Sequence, residues 1–275
     1  MRATDFNTAL LALQRTKPVI TVAHCADCHF PDHSPEALEL TYAIYKRSKP
    51  DVIVVGSDEA DFSVLSSFDP DPDAAEQTID VLDDFSAFHR THVERLRKAV
   101  PKALIVFIHG NHERRIFNFL AIHAPYMRRY VGRGWIDIVR AGGLCHWVGN
   151  VSEILITDHL LVKHGERSSE HVSKAMLVDA GYQVSIMAGH THRLNQFTFK
   201  GYHRTVTAVT SGCLCKTVPG YMSSKGVKPL RQWQQGSAIA RIDVASGNVW
   251  IENLLYLRDE NGVLQTVLEG AVITA

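Results

Sequence analysis

Short β-branched runs alternate with helical patterns through the first two-thirds of this chain, and each run ends abruptly in polar and ionisable residues. Val19 to Ala23, Val52 to Gly56 and Leu104 to Ile108 read as buried strands. That alternation is the signature of an α/β fold built on a sheet with crossover helices. Between the first two runs, Ser34-Pro35-Glu36 has the form of an N-cap followed by proline at the first helical position. Leu38, Tyr42 and Tyr45 then recur at helical spacing until Lys49-Pro50 ends the element.

Asp69-Pro70-Asp71-Pro72 reads as a turn. A long helix is expected from Ala74 to Val100, because Ile79, Leu82, Phe85, His89, Val93 and Leu96 keep a 3.6-residue period. A third helix should follow Ser168-Ser169 and stop near Gly181, before a strand from Val184 to Met187. From Arg204 onward the pattern changes to strands, at Thr205 to Thr210, Ser237 to Val244 and Asn248 to Leu255, with a turn at Ala245-Ser246-Gly247. Residues 1–17 form an N-terminal arm or helix, and 18–275 a single domain. Strand order is not readable at this level.

Charge is balanced, 29 basic against 29 acidic residues, so no overall field marks a general polyanion or membrane binder. No stretch approaches the roughly 18 apolar residues of a membrane helix, and the segment from Met1 to Lys17 is too polar for a signal sequence. The five cysteines suit free thiols in a reducing compartment. The expectation is a soluble cytoplasmic protein with no membrane partner.

The histidines, aspartates and one asparagine fall at strand ends. Asp27-Cys28-His29 follows the first strand, Asp58-Glu59-Ala60-Asp61 the second and Gly110-Asn111-His112-Glu113 the third. His164-Gly165 follows Leu160 to Val162, and Gly189-His190-Thr191-His192 follows Val184 to Ala188. Five segments therefore deliver oxygen and nitrogen donors to one rim, where open α/β sheets place their sites. Carboxylate, amide and imidazole donors together suit Mn, Fe or Zn better than Ca. A carboxylate between two donor sets can bridge two cations, and Asp58 is the natural bridge.

In order and spacing these segments resemble the calcineurin-like metallophosphoesterase pattern D-x-H, G-D-x-x-D, G-N-H-(E/D), H-G and G-H-x-H, from Asp27 to His192. Flanking segments extend a weaker resemblance, to phosphoesterases of bacteriophages and prophages, as far as about residue 240. They are Asn111 to Arg115, Ala124-Pro125, His190 to Arg193, Gly212 to Cys215 and Trp233 to Gly236. The sequence departs from the pattern once: Ser57 separates the usual Gly-Asp pair, while the Asp58 to Asp61 spacing is intact.

The resemblance implies a four-layer αββα sandwich with two mixed sheets flanked by helices. It also implies two divalent metal ions, manganese first, with iron, zinc or nickel as alternatives. Asp27, His29, Asp58 and His192 would hold one ion, and Asp58, Asn111, His164 and His190 the other. Two cations about 3.5–4 Å apart can share a water, lower its pKa and hold it in line with a phosphorus. His112 would serve the leaving group, with Asp61 setting its tautomer. Arg114, Arg115 and Arg193 are candidates for binding substrate phosphate.

The activity implied is hydrolysis of a phosphodiester in a nucleotide or nucleic acid, in a bacterial or phage-infected cell. The alternatives are a phosphomonoesterase acting on a small molecule or phosphoprotein, and a phosphoesterase-like binding protein without turnover. Other motifs carry plainer expectations. Cys25, Cys28, Cys213 and Cys215 read as packed free thiols, and His89 and His92 as a packing or solvated helix face. Arg128, Arg129, Arg133 and Arg140, interleaved with Tyr130 and Trp135, read as a solvated face before a nucleic-acid contact. Val131 to Trp135, rich in glycine, reads as a surface loop or cap.

Overall fold

The structure, a computed structural model, describes residues 3–62, 65, 81–217 and 232–275. The expected turn at Asp69 to Pro72 and the start of the long helix, Ala74 to Asp80, lie outside the described residues.

Two mixed sheets stack face to face. The first runs β11-β10-β1-β2-β3-β4 and the second β5-β6-β7-β9-β8. The first joins β1 (Val19–His24), β2 (Val52–Gly56), β3 (Leu104–Ile108), β4 (His146–Trp147), β10 (Gly236–Asp243) and β11 (Val249–Leu255). The second joins β5 (Glu153–Thr157), β6 (Leu160–Lys163), β7 (Ser185–Ala188), β8 (Leu194–Lys200) and β9 (Thr205–Ser211). β1, β2 and β3 are mutually parallel, as are β6 and β7. Their carboxyl ends therefore emerge at one rim.

The period of two along each strand builds the layers. In the first sheet Ile20, Val22, Val52, Val54, Val106 and Ile108 face the second sheet, where Leu160, Val162, Met187 and Val209 meet them. Their alternates, Ala23, Ile53, Val55, Ile105 and Phe107, turn outward onto helices. These are α2 (Pro35–Ser48), α3 (Val81–Ala99), α4 (Arg114–His123) and α5 (Arg128–Arg140). On the other side, α6 (Val172–Asp179) covers Ile186, Ala188, Val206 and Ala208. The result is the four-layer αββα sandwich. A three-stranded sheet of β12 (Leu257–Arg258), β13 (Leu264–Leu268) and β14 (Ala271–Thr274) adds Leu264 and Leu268 to the helix-side core. The amino-terminal helix α1 (Ala3–Thr16) drives Phe6 and Leu10 into the inter-sheet core.

The capping signal at α2 works as its sequence implies. The Ser34 hydroxyl accepts from the Ala37 backbone N–H, and Lys49 closes the helix in the left-handed region at φ 48°. Val131 to Trp135 differs from expectation, being interior to helix α5 and not a loop. Two helical glycines cost about 2 kcal/mol in propensity relative to alanine. Burial of Trp135 and Val139 offsets that, since Trp135 lies against Phe85 and Phe107 and donates its indole N–H to His109 Nε2 at 3.0 Å. Among the described residues no helix is long and apolar enough to cross a membrane.

Candidate metal centre

All the donors singled out by sequence meet at the rim. Asp27 and His29 leave β1, Asp58 and Asp61 leave β2, Asn111 and His112 leave β3, His164 leaves β6, and His190 and His192 leave β7. Several sit in the left-handed backbone region that non-glycine residues avoid: Asp27 at φ 56°, His29 at 50°, Ser57 at 57°, Asp58 at 66°, His190 at 75° and His192 at 55°. Such conformations persist where the surroundings impose them. Here backbone bonds between loops do so, from Asp27 N to Ser57 O at 2.9 Å and from His29 N to Asp58 O at 3.0 Å. Close approach also requires glycine: a Cβ on Gly110 would stand 1.9 Å from Asp58 Oδ1, and one on Gly189 2.6 Å from Asp27 Oδ2.

Two donor clusters result. In the first, His29 Nε2 and His192 Nε2 face each other at 2.9 Å and lie 3.8 and 3.4 Å from Asp27 Oδ1. That carboxylate oxygen is fully buried and has no hydrogen-bond partner among the described residues. In the second, His164 Nε2 lies 2.7 Å from Asn111 Oδ1, 3.0 Å from His190 Nδ1 and 3.3 Å from Asp58 Oδ2. One N–H on His164 Nε2 cannot serve both the Asn111 and Asp58 oxygens, whereas a cation can be shared by all of these donors. An orphaned buried carboxylate oxygen and facing imidazole lone pairs fit divalent metal ions with mixed N/O donors.

The protonation states of the carboxylates agree. Burial pushes the Asp27 and Asp58 carboxyls up, yet the surrounding histidines outweigh it and hold both well below the usual carboxylate range. Burial lowers His192, and burial with His164 lowers His190. Burial also opposes protonation of His29 and His164, but Asp27 and Asp61 raise the first, and Asp58 raises the second. Carboxylates are thus ionised before any cation arrives, as ligation requires, whereas His29 and His164 must each release a proton to a cation that displaces it.

His112 stands at the edge of these clusters, half-buried. Its Nδ1 is 2.9 Å from Asp61 Oδ1, its Nε2 is 3.7 Å from Asp58 Oδ2, and its backbone N–H donates to Asp58 Oδ1 at 2.8 Å. Asp61 is shared, with His29 Nδ1 3.0 Å from the same oxygen. The arginines divide. Arg115 bonds the Asp61 carbonyl at 2.8 Å and reaches His112 Nε2 at 3.0 Å, inside the site. Arg114 donates to Ser152 Oγ at 3.0 Å on the rim, and Arg193 is engaged by Gln232 and the carbonyls of Ser168 and Ser169.

Supporting residues went unrecognised in the sequence. Glu113 accepts from the backbone N–H groups of Asp58, Ala60 and Gly110, locking the second and third motifs together. Burial and neighbouring Asp58 push its carboxyl up to about 7. Glu59 forms a fully buried pair with His89, Nδ1 to Oε1 at 2.9 Å. Ser57, the departure from the motif, places its hydroxyl 2.8 Å from His164 Nδ1. Accepting from Nδ1–H, it leaves the Nε2 lone pair for a cation. Ser57→Ala is therefore expected to weaken metal binding about 10–100-fold with the fold intact. Calorimetric titration with manganese checks this, and an unchanged affinity would remove the role. Cys213 and Cys215 lie beneath, with sulfurs within 4.8 Å of a His192 nitrogen; all five cysteines are free and buried.

The sequence model of the calcineurin-like phosphoesterases matches residues 20–206. No curated protein gives a match. Among solved structures, Vps29 of Chaetomium thermophilum is 11% identical, with 93% of this chain and 97% of that chain covered and a TM-score of 0.42. Vps29 of Cryptosporidium parvum is 12% identical, at 94% and 97% coverage and 0.42. A conserved protein of Streptococcus pneumoniae TIGR4, titled a predicted phosphoesterase, is 10% identical, at 94% and 99% coverage and 0.34. At these identities and scores none of the three assigns a function. The family match covers more than half of the sequence and every donor at the rim, and the chain belongs to the calcineurin-like phosphoesterases.

Proposed function

We propose that this metal-dependent phosphoesterase hydrolyses a phosphodiester in a nucleotide or nucleic acid, with residues 18–275 acting as one catalytic domain in a cytoplasm. The observation that carries the reading is the position of Asp58, within reach of His164 and His190 on one side and of His29 and His112 on the other. Asp27, His29, Asp58 and His192 would hold one divalent cation, and Asp58, Asn111, His164 and His190 a second, manganese before iron, zinc or nickel. When bound, the pair supplies Lewis acidity toward the phosphate and a water of lowered pKa.

The chain's own groups do the rest. Asp61 accepts from His112 Nδ1–H and so turns Nε2 toward the rim. With the ring doubly protonated and Arg115 moved from Nε2 onto substrate phosphate, Nε2–H gives its proton to the departing oxygen and leaves a neutral imidazole. The Arg115 guanidinium, 3.0 Å from that nitrogen, stands where it can bind a phosphate oxygen and hold the ester against His112. A complete donor set favours turnover over a binding role without catalysis.

The test compares bis-p-nitrophenyl phosphate with p-nitrophenyl phosphate in manganese. The diester should be preferred in kcat/KM by at least about tenfold, of the order that pocket contacts supply. Preference for the monoester would replace the substrate class, and inertness toward both by metal-loaded protein would favour the binding role.

A further inference from the structure

Beside the rim lies an open groove lined by Phe117, Arg128, Arg129, Arg133, Trp147 and Asn150, with Gly132 in its wall and a volume of about 400 Å³. None of the three guanidinium groups has a hydrogen bond or ion pair with another described residue. The walls of the groove are tied to the metal centre through neighbouring residues. Asn150 is two residues from Ser152, which holds Arg114 through its hydroxyl and His164 through its carbonyl. Phe117 is one helical turn beyond Arg114.

Two features of α5 make no sense for stability. Its first turn carries Arg128 and Arg129, no acidic residue and no capping side chain, so two cations oppose the positive end of the helix dipole. Gly132 sits inside the helix although a Cβ there would meet nothing within 4 Å. Alanine would fit the protein and favour the helix, and the bare backbone at Gly132 opens into the groove. Uncompensated guanidinium groups with a bare backbone between them suit a phosphate-bearing ligand. Exposed Tyr126 and Tyr130, at 77% and 69%, flank the arginines in the sequence, and Trp147 lies in the groove. Aromatic faces beside such a track bind unpaired bases by stacking.

We infer that this groove binds the backbone of single-stranded nucleic acid through Arg128, Arg129 and Arg133, presenting an adjoining phosphodiester to the Asp58 centre. The inference rests on the phosphodiesterase reading of that centre and extends it to a polymeric substrate.

Binding is measured by fluorescence anisotropy with a labelled oligothymidylate of about a dozen nucleotides, in EDTA so that no turnover occurs. Hydrolysis of bis-p-nitrophenyl phosphate is followed in parallel with manganese. Changing Arg128, Arg129 and Arg133 together to alanine should raise Kd at least about tenfold and reduce the salt slope by about 2, leaving small-diester kcat/KM unchanged. Gly132→Ala should raise Tm by about 2–4 °C yet weaken strand binding. Gly134→Ala, also in α5 but outside the groove, should raise Tm without affecting binding.

Unchanged Kd in the triple variant overturns the inference, as does equal competition by duplex DNA or a phosphopeptide. Arginine-dependent strand binding by a protein inert toward the small diester would support the groove while removing the phosphodiesterase reading. Turnover of the small diester with no strand binding would do the reverse.

Discussion

Asp58→Asn is expected to abolish metal-dependent hydrolysis, whereas His112→Ala should retain both cations and lose about 10²–10⁴-fold in kcat. The contrast follows from where each side chain stands. Asparagine is nearly isosteric with aspartate and can still accept the His112 backbone N–H that Asp58 Oδ1 takes at 2.8 Å. Isostery matters in this packing, because Gly110 approaches the same oxygen too closely to carry a side chain. The fold should therefore survive, while the anionic charge shared between the donor clusters disappears. His112 is outside both sets of four proposed ligands, so its loss removes a proton donor and leaves the cations in place. Stopped assays on bis-p-nitrophenyl phosphate, with Tm as a control, measure both. Equal losses of rate and metal in the two variants would show that His112 is a ligand.

His89→Ala should destabilise the protein by about 3–5 kcal/mol, the usual result of breaking a buried ion pair. His89 is fully buried, with Nδ1 on Glu59 and Nε2 donating to the Val139 carbonyl at 3.0 Å. Both ring nitrogens thus act as donors, which is the charged form. Burial opposes that charge, but Glu59 outweighs it and raises His89 well above its ordinary 6.5. Burial likewise opposes ionisation of Glu59, and His89 holds it below its ordinary 4.5. A raised histidine stabilises fully below its unfolded value and progressively less as pH rises through its folded one; a depressed glutamate stabilises fully above its unfolded value and less as pH falls. The pair's contribution is therefore complete between the two ordinary values, 4.5 and 6.5, and declines on either side. Urea titrations of wild type and variant across pH should show the largest gap in that window; a flat difference would mean that packing alone is at stake.

Much of the candidate site was legible because its chemistry demands particular residue types at strand ends. Asp27, Asp58, Asn111, His164 and His190 each follow an apolar run, and the parallel strands bring those ends to one edge. The helix α2 was legible for a local reason, its serine cap and first-turn proline. The partners of β1 were not, since β10 pairs with it from more than 200 residues away, Val19 opposite Asp243. Helix α5 was obscured by Gly132 and Gly134, whose low propensity is overcome only by burying Trp135. The serine in the second motif looked like a disturbance. Instead three consecutive positive φ angles, 92° at Gly56, 57° at Ser57 and 66° at Asp58, keep the carboxylate in place and bring the hydroxyl to His164. His89 did leave a trace, falling on the same helical stripe as Phe85, Val93 and Leu96. Glu59 between two site aspartates gave no sign of facing away from them.

The central claim is that Asp58 joins two cations at this rim, and metal stoichiometry tests it most directly. Protein loaded with manganese and freed of excess should carry two equivalents per wild-type chain and no more than about one in Asp58→Asn. Wild-type protein that retains no metal, or an Asp58→Asn variant that retains both equivalents, would contradict it.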